Sequence, residues 1–93
     1  MISVTFEFLA QARTAAMRNQ ARVQFASGVD LPAALREVAR QQGDALQSLM
    51  FDPQGELRAS LLVMVNGQFV RATESQALSD GDTITLLTPI GGG

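Results

Sequence analysis

The sequence contains no cysteine and no histidine. Those absences exclude disulfides, thiolate nucleophiles, imidazole bases and the usual zinc ligands, so catalysis by the chain alone would rest on carboxylates and hydroxyls. Lysine is missing as well: all seven basic residues are arginine, spread from Arg13 to Arg71. The N-terminal amine is therefore the one amine able to receive an acyl group, and self-conjugation into lysine-linked polymers is excluded. Nine acids slightly outweigh the arginines, which leaves no basic face for nucleic acid. The opening residues Met1-Ile2-Ser3-Val4-Thr5 carry neither a basic region nor a long apolar run. Neither a signal peptide nor a membrane span is expected, and the default location is the cytoplasm.

What is present is a chain of 93 residues, 46% of them hydrophobic. A single domain of this size buries somewhat over ~60% of its unfolded surface and can fold unaided. Ile2, Val4, Phe6 and Phe8 alternate with Ser3, Thr5 and Glu7, the period of a strand with one buried face. Leu9 to Arg13 lead into what reads as a polar loop through Arg18-Asn19-Gln20, and Arg22-Val23-Gln24-Phe25 returns as the second strand of a long-looped hairpin. Asp30 is placed to cap a helix and Pro32 suits its first turn. Leu31, Ala34, Leu35 and Val38 share one helical face, and Gly43 is placed to stop it. Leu46, Leu49, Met50 and Phe51 suggest a short helical turn closing the core. Asp52-Pro53-Gln54-Gly55 is turn chemistry. Leu61 to Val65 form a β-rich run that Asn66-Gly67 pairs with Gln68-Phe69-Val70. Asp80-Gly81-Asp82 precedes a last strand over Thr83 to Leu87; the aspartates read as turn residues, and no metal site is expected. The order β-β-α-β-β-β predicts an α+β domain over residues 1–88, with one mixed sheet of four to five strands and one main helix across one face.

Residues 89–93, Pro89, Ile90, Gly91, Gly92 and Gly93, read as a flexible glycine tail. Glycines cost entropy to order and pack nothing, whereas a segment without Cβ atoms can thread a narrow tunnel in a partner. From Leu87 to Gly93 such a tail reaches roughly 20 Å when extended, enough to carry the Gly93 carboxylate into a foreign active site. The plain alternative is a frayed end without function. If Leu61, Val63 and Val65 face the helix, Leu62 and Met64 point to the opposite face near Leu87 and Leu9, forming an apolar patch of the kind that marks partner surfaces. The pattern leaves the other register open. Arg13 and Arg71 are candidates to meet a carboxylate on a partner, with solvated surface charge as the alternative.

These residues resemble the ubiquitin-like sulfur carriers of the MoaD/ThiS type. The resemblance is carried by Phe8-Leu9-Ala10 followed by Arg13, by Val65-Asn66-Gly67, by Asp80-Gly81-Asp82 and by a tail fitting P-x-x-G-G with Pro89, Gly92 and Gly93. The opening is more like the MoaD side, the molybdopterin synthase small subunit, than the ThiS side. Phe51 to Arg58 is similar to a segment of MoaD-like carriers serving cysteine and secondary-metabolite routes. Thr14 stands where MoaD-like chains often carry Glu, and Thr88-Pro89 where many carry two prolines. The resemblance implies a β-grasp (ubiquitin-like) fold and a carrier without catalysis of its own. It implies that an E1-like adenylyltransferase of the MoeB/ThiF type uses ATP and magnesium to adenylate Gly93, which becomes a thiocarboxylate. The sulfur acceptor implied is a MoaE-like synthase subunit in molybdenum cofactor synthesis. Cysteine, thiamin or secondary-metabolite routes, or use as a protein modifier, are the alternatives. No cofactor, nucleic acid or membrane partner is implied.

Overall fold

The computed structural model describes residues 1–88; the tail residues Pro89, Ile90, Gly91, Gly92 and Gly93 lie outside the described residues. Alternation does what it predicts in β1 (Ile2–Ala10), where Val4, Phe6 and Phe8 are fully buried and Ser3, Thr5, Glu7 and Leu9 face outward. β2 (Gln20–Phe25) pairs antiparallel with it, Val4 opposite Val23, and the rings of Phe6 and Phe25 meet edge to face at 6.2 Å.

The link between these strands is not the predicted polar loop. It begins with α1 (Gln11–Ala16), a short helix that buries Ala12 and Ala16 one turn apart. A single pair of alanines was too small a signal against the polar residues around it. Ala10, at φ 53, makes the sharp turn out of β1, a conformation that L residues other than Asn and Asp seldom adopt.

α2 (Leu31–Gln42) starts as expected, with Asp30 Oδ1 accepting from the Ala33 N–H at 3.0 Å and Pro32 in the first turn. Its buried stripe is Leu31, Ala34, Leu35, Val38 and Ala39. Gly43, at φ 102, ends it and opens α3 (Asp44–Met50), which adds Leu46 and Met50 to the core. A turn-rich segment with an isolated bridge between Phe51 and Leu57 leads to β3 (Leu62–Val65) and β4 (Gln68–Val70). Asn66 and Gly67 both take positive φ, 51° and 84°, in the tight turn between them. β5 (Thr83–Thr88) is the last element.

The sheet has five strands in the order β2-β1-β5-β3-β4, with β5 parallel to β1 and antiparallel to β3. Residues from all the helices join Val4, Phe6, Phe8, Val63, Ile84 and Leu86 in one core on a single face of this sheet. This is the β-grasp architecture. Among the described residues no helix is long and apolar enough to cross a membrane.

Candidate functional site

The register of β3 decides which side chains the open face carries. Leu61, Val63 and Val65 turn into the core, so Leu62 and Met64 turn out. Leu62 stands opposite Leu87 on β5, and Leu87 opposite Leu9 on β1. The three leucines therefore form one row across adjacent strands on the uncovered face, with Leu9 45% and Leu62 38% exposed. The next row along the strands runs Glu7, Thr85, Met64 and Phe69. Here the Thr85 hydroxyl donates to Glu7 Oε1 at 3.1 Å, while Met64 and Phe69 extend the apolar surface to the β4 edge. Phe69 is 66% exposed.

Leu9, Leu62, Met64 and Leu87 are thus brought together as the sequence suggested. Phe69 was missed as a member of this surface: its strand is three residues long, too short for alternation to assign a face. The signal was its place just beyond the Asn66-Gly67 turn, in register with Met64. Exposed Leu9, Leu62 and Phe69, joined by the partly buried Met64 and Leu87 on a sheet face that no described element covers, are the kind of surface that proteins cover with a partner.

The row lies at one end of β5, one residue before Thr88, from which the covalent chain continues into Pro89. Thr88 itself turns into the core, and its Oγ1 is buried without a hydrogen-bond partner among the described residues. The opposite end of β5 is densely tied. The Asn66 N–H donates to the Thr83 carbonyl at 2.8 Å, the Thr83 N–H donates to Asn66 Oδ1, and Asn66 Nδ2 donates to Asp82 Oδ1. Asp82 Oδ2 accepts from the Ser79 N–H, and Asp80 Oδ1 from the Ser3 N–H at 2.7 Å. Asp82 is engaged within the turn it shapes and Asp80 ties that turn to β1.

Arg13 sits exposed on α1, at the same end as the row, with no side-chain bond that ties it to the leucines. Arg71 follows β4 and lines two shallow depressions beside that strand. The Gly93 carboxylate and the tail before it lie outside the described residues.

The family model of the ThiS family matches residues 6–93. The chain belongs to the ThiS family. Among proteins of curated function, none matches the sequence. Among solved structures, the chain is similar to small archaeal modifier protein 1 from Haloferax volcanii at 26% identity, covering 98% of this chain and 99% of that one with a TM-score of 0.86. The small archaeal modifier protein 1 from Methanosarcina acetivorans is 28% identical, over 100% and 98% of the two chains, with a TM-score of 0.79. A Helicobacter pylori complex of subunits 1 and 2 of molybdopterin-converting factor aligns at 19% identity, over 99% of this chain and 100% of that one, with a TM-score of 0.58. At that identity the last likeness shows the fold. ThiS-family membership and these neighbours place the chain among small ubiquitin-fold carriers and modifiers.

Proposed function

We propose that this protein is a sulfur carrier whose reactive atom is borne on Gly93, and that it works by presenting its tail to partners instead of by catalysis of its own. The observation that carries the reading is the position of the Leu9, Leu87 and Leu62 row at the end of β5 whose covalent continuation is Pro89 to Gly93. A partner seated on the row lies beside the point where the tail is attached, and an extended reach of roughly 20 Å suffices to enter a buried centre.

The chemistry follows from the carboxylate, a poor electrophile at neutral pH. Gly93 attacks the α-phosphorus of ATP in an E1-like adenylyltransferase, which holds magnesium, and pyrophosphate leaves. A donor persulfide then attacks the acyl carbon and AMP leaves. A thiol cleaves the resulting acyl disulfide, leaving a C-terminal thiocarboxylate. That group is ionised at neutral pH, nucleophilic and held covalently. In the leading version of the reading, a MoaE-like subunit takes the sulfur to build molybdopterin. The second subunit named for the Helicobacter pylori complex supports an acceptor of that kind.

A second reading shares the activation and differs in the acceptor: the activated Gly93 is passed to a lysine of a target protein. The names of the modifier proteins at 26% and 28% identity favour it. Reconstitution separates the two. The untagged protein is incubated with ATP, magnesium, a sulfur source and the adenylate-forming enzyme of its own organism. The expected result is exchange of pyrophosphate into ATP that depends on this chain, followed by thiocarboxylate on Gly93. Deleting Gly92 and Gly93 is expected to abolish both while leaving the melting temperature unchanged. Exchange without thiocarboxylate, together with isopeptide-linked targets, would favour the modifier. Absence of exchange would sink both readings.

A further inference from the structure

A groove of about 410 Å³ opens beside β3 and β4, floored by Leu57, Leu61 and Val70 and bounded by Leu62, Arg58 and Arg71. Leu62 also belongs to the exposed leucine row, so a body seated on that row arrives at the lip of the groove. Among the described residues no carboxylate lines it. Arg58 is held in place: its Nε donates to the Ser48 carbonyl at 3.0 Å, near the end of α3, and its backbone N–H donates to the Met50 carbonyl. Among the described residues its terminal nitrogens have no hydrogen-bond partner. Arg71 is exposed and forms no side-chain hydrogen bond or ion pair among the described residues; the one ion pair found among them is Arg40 with Glu37, on α2. Glu74, near in sequence, shares with Arg71 the neighbouring hollow beside Phe69 without pairing with it. A chain of net charge −2 thus sets two guanidinium groups around an apolar floor.

We infer that this groove is a second docking element for the adenylate-forming partner, receiving an extended segment of it with an aliphatic side chain flanked by a carboxylate. The inference rests on the proposed function for the identity of that partner. The aliphatic group covers Leu57, Leu61 and Val70. The carboxylate meets Arg58, which is pre-positioned, or Arg71, whose planar fork takes a carboxylate in two parallel hydrogen bonds. Leu62 belongs to both surfaces, so a partner that covers the row reaches the groove at the same time. The row then supplies apolar burial, and the arginines supply register and charge selection.

The test measures the affinity of the full chain for the adenylate-forming enzyme of its organism at low and at physiological ionic strength. Wild type is compared with Arg71→Glu, Arg71→Lys and Leu87→Asp, with circular dichroism confirming the fold of each. The inference predicts at least about tenfold weaker binding for Arg71→Glu, with a flatter salt dependence, and a smaller loss for Arg71→Lys, which keeps the charge and gives up the bidentate fork. Arg71→Glu binding as wild type while Leu87→Asp does not bind would overturn the groove and leave the proposed function standing. Weakening by Arg71→Glu toward the sulfur acceptor alone would also overturn it. Failure of wild type to bind the enzyme at all would remove the proposed function, and the inference with it.

Discussion

The two ends of β5 are built from different materials. At its start, Asn66, Asp80 and Asp82 bind the β3-β4 turn, the first strand and the last strand together through side-chain hydrogen bonds. At its finish there is a leucine row, with Leu9 and Leu62 exposed and Leu87 partly buried, and a buried hydroxyl without a partner among the described residues. Both ends belong to the same strand of the same sheet, so fold stability alone does not require the difference. The polar end satisfies itself, as a surface facing water should. The apolar end leaves Leu9 and Leu62 in solvent, a cost in the isolated protein that a partner can recover. The contrast separates the place where the fold is maintained from the place where, on the proposed function, a partner binds, and the tail is attached at the second.

The contrast breaks most visibly at the leucine row. Replacing Leu87 by Asp puts a charge between Leu9 and Leu62; it forfeits ~1.5–3 kcal/mol of side-chain burial in a complex and strands a carboxylate there. Affinity for the adenylate-forming partner is expected to fall by about a hundredfold or more, measured by calorimetry. The melting temperature is expected to move by only a few degrees, because the side chain is only partly buried in the free protein. The tied end should behave in the opposite way. Asn66→Gly keeps the left-handed turn and deletes the bonds to Thr83 and Asp82. Stability is expected to drop by about 1–2 kcal/mol, roughly 5–10 °C in a domain of this size, with partner affinity unchanged. A large loss of binding in Asn66→Gly would erase the distinction between the ends.

Thr88→Val sharpens the comparison with a smaller effect of reversed sign. It removes a buried hydroxyl that has no partner among the described residues, so denaturant unfolding should find the variant as stable as wild type or up to about 1 kcal/mol more stable. The smallest change is expected far from both ends, on α2. Hydrogen bonds from Arg40 and then Gln41 hold the Glu37 carboxyl below its ordinary pKa. A lowered pKa in the folded state gives stability that is present above the ordinary glutamate value and is lost as pH falls through the lowered one. Because the carboxylate is exposed, Glu37→Gln should leave the melting temperature at neutral pH essentially unchanged. Any difference from wild type should vanish in acid. A shift at neutral pH as large as that of Asn66→Gly would contradict this ordering.

Much of the fold was legible because one-sided burial writes itself into the chain. The alternation in Ile2 to Phe8 and Arg22 to Phe25, the Asp30 cap and the Asn66-Gly67 turn each express a local physical demand, and each reappears in the structure. α1 did not announce itself, since two buried alanines and a left-handed Ala10 leave no pattern that propensity can read. The central position of β5 was equally hidden, because its parallel pairing with β1 joins the two extremes of the sequence. For the site, alternation supplied Leu62 and Met64 once the register was known; it could not supply Phe69 on a strand of three residues. The groove was invisible, as nothing local places Arg58 and Arg71 around one apolar floor. Gly93 lies outside the described residues, and the role proposed for it rests on the family resemblance and on carboxylate chemistry.

The most direct measurement is therefore the intact mass of the protein purified from its native host without a C-terminal tag. Sulfur carriage predicts a fraction heavier by the difference between a sulfur and an oxygen atom, with fragmentation assigning the change to Gly93. Carboxylate alone, persisting after incubation with ATP, a sulfur source and the host's adenylating enzymes, would contradict it.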